Sequence, residues 1–214
     1  MTDRPILFSG PMVRALLDGR KTQTRRVLKP QPVTDSGYWT HPKFPGGYPA
    51  EVLQEKGSRI PGFMHFAPGD RLWVREALDM GFAGGFPICT CTYVADGAQV
   101  DLRPSPFWAG DQKRNRIPSI HMPRWASRLT LVVTDVRVQR LQDISEDDAV
   151  EESAVSDLKR FPDGGHIGMC ARDRFALIWN SLHGSGAWAE NPWVVAISFE
   201  VHRRNIDQHG KDAA

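Results

Sequence analysis

An α+β fold, a mixed β-barrel decorated by helices and interrupted by long loop insertions, is what this sequence predicts. Three observations lead there. The expected elements run strand, helix, strands, helix, helix, strand, so the last strand has to close on much earlier ones. Sixteen prolines and nineteen glycines in 214 residues demand much loop and disfavour a helical bundle. Two stretches, 71–76 and 129–141, alternate apolar and polar residues with the period of a half-buried strand. A chain of this length buries a core as one domain, expected over 1–204 with insertions near 29–66 and 101–118 and a polar tail over 205–214.

Composition also excludes some functions. A net charge of +2 makes the molecule as a whole no strong polyanion binder, so any nucleic-acid affinity must be local. No apolar run approaches membrane-span length and the N-terminus has no signal-peptide core, so no membrane partner is expected. Three cysteines without a secretory signal point to reduced thiols in a cytoplasm. Cys89-Thr90-Cys91 with His166 and Cys170 lacks a zinc-site spacing. Neither a metal nor a cofactor is expected.

Taken in order, 5–9 is a short apolar strand and 11–18 a helix that opens on Pro11, with Met12, Ala15 and Leu16 on one face. Gly19 supplies its left-handed end and 22–28 has strand character. The prolines and scattered aromatics of 29–65 mark an insertion loop, with a helical turn near 51–56. Pro68-Gly69-Asp70 is a turn before a strand over 71–77, and 88–95 is another strand. Residues 101–117 form a second loop carrying the basic run Lys113-Arg114-Asn115-Arg116. The strand over 128–141 is followed by a helix over 145–155, opened by the capping pattern Ser145-Glu146-Asp147-Asp148. A Gly-rich loop then leads to an amphipathic helix over 171–183, with Phe175, Ile178, Trp179 and Leu182 inward, and to a closing strand over 192–202. The residues from Asn205 onward are expected to fray.

The segment that draws chemical attention is Gly19-Arg20-Lys21-Thr22-Gln23-Thr24-Arg25-Arg26, four cations in eight residues at a helix-to-strand corner. Cations just past a helix end also satisfy carbonyls, so a solvated surface explains them as well as a site does. Gly19, Lys21, Thr24 and Arg26 resemble the G-x-K-x-x-[T/E]-x-R signature of the ASCH family. Its longer phage and bacterial members are similar to this chain at Pro5-Ile6-Leu7-Phe8-Ser9, at 68–76, at 118–125 and at Asn191-Pro192-Trp193-Val194. The resemblance implies a PUA-like β-barrel associated with RNA.

Some small ASCH proteins are amidohydrolases of N4-acetylcytidine. By that resemblance Lys21 is the base and Thr24 the nucleophile, and Glu152, or the adjacent Glu151, is the acid. Arg20, Arg26, His121, Arg124 and Trp125 are candidates for substrate binding. A threonine hydroxyl needs a neighbouring base, and lysine serves as one only when its pKa falls towards neutrality. The charges of Arg20, Arg25 and Arg26 push it that way, whereas a nearby glutamate opposes them. Residues three apart on a regular strand face opposite sides, so Lys21 and Thr24 cooperate only at an irregular corner. Two further functions follow from the resemblance: binding of RNA or a modified base without chemistry, and ribonuclease activity.

Overall fold

The computed structural model describes residues 2–29, 31–35, 38–41, 44–49, 66–83, 86–100, 116–152 and 169–208. The fold is α+β, with three α-helices among these residues and strands in open sheets, none of which closes on itself. The helical turn expected at 51–56, the glycine-rich loop up to Gly168 and the basic residues Lys113 to Asn115 lie outside the described residues. No described helix is long and apolar enough to cross a membrane. The chain divides into two compact units, both discontinuous in sequence. One holds Arg20–Asp70 and Val132–Glu200; the other holds Thr2–Gly19, Arg71–Leu131 and Val201–Ala214.

The first unit is built on three adjacent strands in the order β11-β12-β2: β11 (Thr130–Arg140), β12 (Trp193–His202) and β2 (Gln23–Val27). β2 runs antiparallel to β12, with Thr24 opposite Ile197 and Arg26 opposite Val195. Two helices, α2 (Glu146–Glu152) and α3 (Ala171–His183), cover an apolar cluster of Leu141, Ile144, Ala149, Phe175, Trp179 and Val194. Ser145 caps α2 as its pattern predicts, its hydroxyl accepting the Asp148 N–H at 3.1 Å. Cys170 caps α3 through its sulfur, which accepts the Asp173 N–H. Leu182, expected inward, is 53% exposed; Phe175 and Trp179 alone are fully buried on that helix. At the end of the segment Arg20–Asp70, residues Ala67–Asp70 form a type II turn. Asp70 N–H donates to Ala67 O at 3.0 Å, Pro68 takes the second position and Gly69 the third with φ +85°.

The same unit contains β3 (Val33–Asp35), β4 (Tyr38–His41) and β5 (Phe44–Pro49), paired antiparallel in that order. The sequence expectation here was loop. Two consecutive short hairpins overcome the proline content, because Pro45 and Pro49 fall on β5, an edge strand whose outer N–H groups need no partner.

In the second unit β1 (Asp3–Leu7) pairs in parallel with β6 (Arg71–Arg75). A four-stranded sheet joins β10 (Arg116–Ile117), β7 (Leu78–Ala83), β8 (Phe86–Tyr93) and β9 (Gln99–Val100) in that order. β7 was not expected. Helix α1 (Gly10–Leu17) buries Val13 as well as Ala15 and Leu16, while Met12 is only half-buried, so its inward face is rotated from the expected one. Gly19 at φ +71° ends it in the left-handed region, as predicted.

The tail does not fray at Asn205. Its amide donates to the carbonyls of Arg124, Trp125 and Ser127 at 2.9, 3.2 and 2.7 Å, and Ile206 behind it is fully buried. Three converging carbonyls and one apolar anchor outweigh the polarity of the neighbours. Asn205→Ala should therefore lower the unfolding free energy by about 2 kcal/mol. A urea midpoint within error of the parent's would show that the tail is not fixed.

Candidate active site

β2 has one edge on β12 and one edge away from it. Thr22 O accepts from Phe199 N and Leu28 N donates to Trp193 O, so the even-numbered backbone groups face β12. The odd-numbered groups, Gln23 O and Arg25 N, therefore point to the other edge, where no strand is paired among the described residues. The C-terminal end of α2 fills that position. Within the strand Arg25 N–H donates to the Glu152 carboxylate at 2.5 Å, and just before it, outside the strand alternation, Thr22 N–H donates to Glu151 O at 3.0 Å. The Lys21 ammonium donates at 2.7 Å both to Gln23 O and to the Glu152 backbone carbonyl. Lys21 thus joins a backbone carbonyl of α2 to an acceptor on the strand edge.

Around this contact lies a buried polar network. Arg25 Nη1 donates to Glu152 Oε2 at 2.5 Å and to Gln23 Oε1 at 2.6 Å. Its Nη2 donates to Asp148 Oδ2 at 2.8 Å. Gln23 Nε2 donates to Asp148 Oδ1 and to Ser198 Oγ, and Arg137 Nη2 donates to both Asp148 oxygens. Lys21 is 0% exposed and Glu152 6%. Nε of Arg25 is buried without an acceptor.

Burial pushes the Lys21 pKa down to about 8, and the charges of Arg26 and Arg25 help, while Glu152 works against them. The sequence expectation credited the arginines; desolvation is the larger cause. The neutral amine that this shift favours is the form a base requires. Nζ touches the carbonyl of the Gln23–Thr24 peptide, so it lies at most about 5.5 Å from the Thr24 Cα by standard peptide dimensions. The corner at Arg20 to Thr22 is not strand, which lets the lysine stem run forward along β2. Thr24 itself is buried and shares its strand face with Arg26, by the alternation of β2. The Arg26 guanidinium is itself held below its ordinary pKa by burial, against the pull of Glu152.

Of the expected site residues, the structure brings Lys21 and Glu152 into contact and sets Thr24 on the peptide that Lys21 touches. Between the two glutamates, the Glu152 carboxylate enters the network, whereas Glu151 is exposed and contributes its carbonyl. Arg20 is exposed. His121, Arg124 and Trp125 belong to the second unit. There His121 is exposed at the end of a 3₁₀ turn, and Trp125 packs half-buried beside the cluster of Leu78, Tyr93 and Met122. Arg124 is engaged by Asp207 and Asp3, at 2.7 and 2.6 Å. Gln23 and Asp148 were not expected. Both were within reach of sequence reasoning: Gln23 and Arg25 alternate with Lys21, and Asp148 lies one helical turn before Glu152, so both acids share a face of α2. Cys91 is buried in β8, and among the described residues no group of His, Cys, Asp and Glu could hold a metal ion.

The depressed lysine has a thermodynamic signature. Below pH 8 the folded protein bears the cost of a buried ammonium. Between about 8 and the ordinary 10.5 it sheds that proton before the unfolded chain does, so stability rises with pH across this window. Cys91, pushed up by burial to about 11, and Tyr93, pushed up by burial to about 12, act in the opposite direction. Taking the difference against Lys21→Met cancels them. That difference should move in the parent's favour by about 3 kcal/mol over the window, measured by urea unfolding at each pH. A constant difference would mean an unperturbed lysine.

No protein-family model, curated protein or solved structure matches this chain.

Proposed function

We propose that this chain is an ASCH-type protein of PUA-like fold whose first unit hydrolyses the acyl group of N4-acylcytidine-like nucleosides. The observation that supports this most is the fully buried Lys21, with a pKa near 8 and its nitrogen on the Gln23–Thr24 peptide. A surface cation serving only a helix end would be solvated and of ordinary basicity.

In the proposed reaction neutral Lys21 takes the proton of the Thr24 hydroxyl as its oxygen attacks the acyl carbon. Arg26, on the same strand face, stabilises the developing oxyanion. The C–N bond then breaks and the cytosine amine leaves with a proton. The resemblance gave that proton to Glu152, but both Glu152 oxygens are bound to Arg25. The proton is therefore assigned to the Lys21 ammonium, as in Ser-Lys acyl transfer, and Glu152 holds the strand edge and the lysine in place. Water, deprotonated by Lys21, then cleaves the threonyl ester, releasing the carboxylic acid, and the Lys21 ammonium returns the proton to the Thr24 oxygen.

Binding of RNA by a basic cleft is less well supported. Of the four cations that suggested it, Lys21 and Arg25 are buried and bonded inside the protein, so neither is placed to meet phosphates. The test is incubation of the protein with N4-acetylcytidine and, separately, with single-stranded RNA, followed by chromatography of the products. Cytidine and acetate with intact RNA is the expected result. Cleaved RNA, or unchanged nucleoside with salt-sensitive RNA binding, would overturn the proposal.

A further inference from the structure

Asp148 stands outside the proposed chemistry, yet it makes more contacts in the network than any other carboxylate. It accepts from Arg25 on β2 at 2.8 Å, from Gln23 on β2 at 3.2 Å and from Arg137 on β11 at 3.1 and 3.2 Å. Arg137 in turn pairs with Asp135 at 3.3 Å, and Gln23 also donates to Ser198 on β12. Arg25 and Gln23 are the two residues that meet Lys21's surroundings directly, Arg25 through Glu152 and Gln23 through its own carbonyl.

We propose that Asp148 is a positioning residue for Lys21, holding Arg25 and Gln23 together at the β2 edge and sharing the Arg25 charge so that the amine keeps its working protonation. The proposal rests on the base role assigned to Lys21. Two features distinguish it from simple packing. Asp148 bonds Arg25 and Gln23, the residues through which its effect reaches Lys21. Its charge is divided between Arg25 and Arg137, so the two ways of disturbing that division have opposite signs. The charged groups acting on Lys21 itself are Glu152 from α2 and Arg25 and Arg26 from β2. Asp148 is held below the usual carboxylate range: burial works the other way and is outweighed by the bonds from Arg137 and Gln23 and by the charges of Arg137 and Arg25. It is therefore anionic wherever the enzyme would work.

The experiment uses the full chain labelled with [ε-13C]lysine, the Lys21 signal being assigned by its loss in Lys21→Arg. Its titration midpoint is followed by NMR beside the pH dependence of kcat/KM. In Asp148→Asn the Arg25 charge is left less balanced, and the midpoint should fall by about half a pH unit or more. In Arg137→Gln a neighbouring cation is lost and Asp148 turns wholly to Arg25, so the midpoint should rise by a similar amount. Opposite shifts support the role, and a merely structural aspartate would not give them. Midpoints that stay fixed, or that move the same way in both variants, would overturn it; if Asp148→Asn does not fold, a fixed midpoint in Arg137→Gln does so alone. Opposite shifts in a protein that hydrolyses no acylcytidine would remove the amidohydrolase proposal and leave Asp148 in control of Lys21. Hydrolysis with an unmoved midpoint would do the reverse.

Discussion

Replacing Arg25 by methionine should destabilise the protein by about 3–5 kcal/mol, the usual cost of breaking one partner out of a buried ion pair. The size follows from what is left behind. Glu152 would stay at 6% exposure with one oxygen still on the Arg25 N–H and the other facing the empty guanidinium site. Asp148 would lose its 2.8 Å contact but keep Arg137 and Gln23. Most of the loss therefore belongs to Glu152, and the double variant Arg25→Met with Glu152→Gln should recover about 2 kcal/mol or more of it. Denaturant unfolding of the parent, both single variants and the double variant gives the cycle. A single-variant cost below about 1 kcal/mol would mean that water reaches the pair and that the network is not the closed cluster described above.

The second large effect is chemical. Lys21→Arg and Thr24→Val should each lower kcat for acylcytidine hydrolysis by ~10²–10⁴-fold, the range over which general bases and nucleophile activation act. The two variants fail for different reasons. Valine keeps the branched shape that suits β2 and removes only the hydroxyl. Arginine keeps a positive charge near Glu152 but cannot give up its proton near neutral pH. A phosphate-binding protein would behave otherwise, because a phosphate contact needs a cation and not a proton acceptor, so Lys21→Arg would retain most of its affinity.

Much of the scaffold was legible because its signals are local. The eleven-residue alternation of β11, Ser145 ahead of α2, Pro68-Gly69 in the turn and Gly19 after α1 each name a backbone conformation without reference to distant residues. β7 carried the same kind of signal in Leu78, Met80 and Phe82, but Gly81 and Gly85 interrupt the alternation, and no element was expected there. β3 to β5 were hidden by prolines that matter only if the strand is central, and edge position is not a property of sequence. The site was half legible. Lys21 and Glu152 are 131 residues apart, and only a resemblance to other proteins, not a local pattern, suggested pairing them. What no local pattern could show is that they meet through backbone groups: the lysine bonds two carbonyls, and the glutamate a strand-edge N–H. That outcome depends on which edge of β2 is taken by β12 and which is left for α2.

The central claim is that the Lys21 amine, neutral above pH 8 and seated on the Thr24 peptide, is a base. The pH dependence of kcat/KM for N4-acetylcytidine addresses it most directly, measured from about pH 6 to about pH 9.5 on the parent and Lys21→Arg. The expected profile rises about tenfold per pH unit on the acid side and levels near 8, with no such bend in the residual rate of Lys21→Arg. A parent profile flat across this range, accompanied by undiminished hydrolysis in Lys21→Arg, would contradict it.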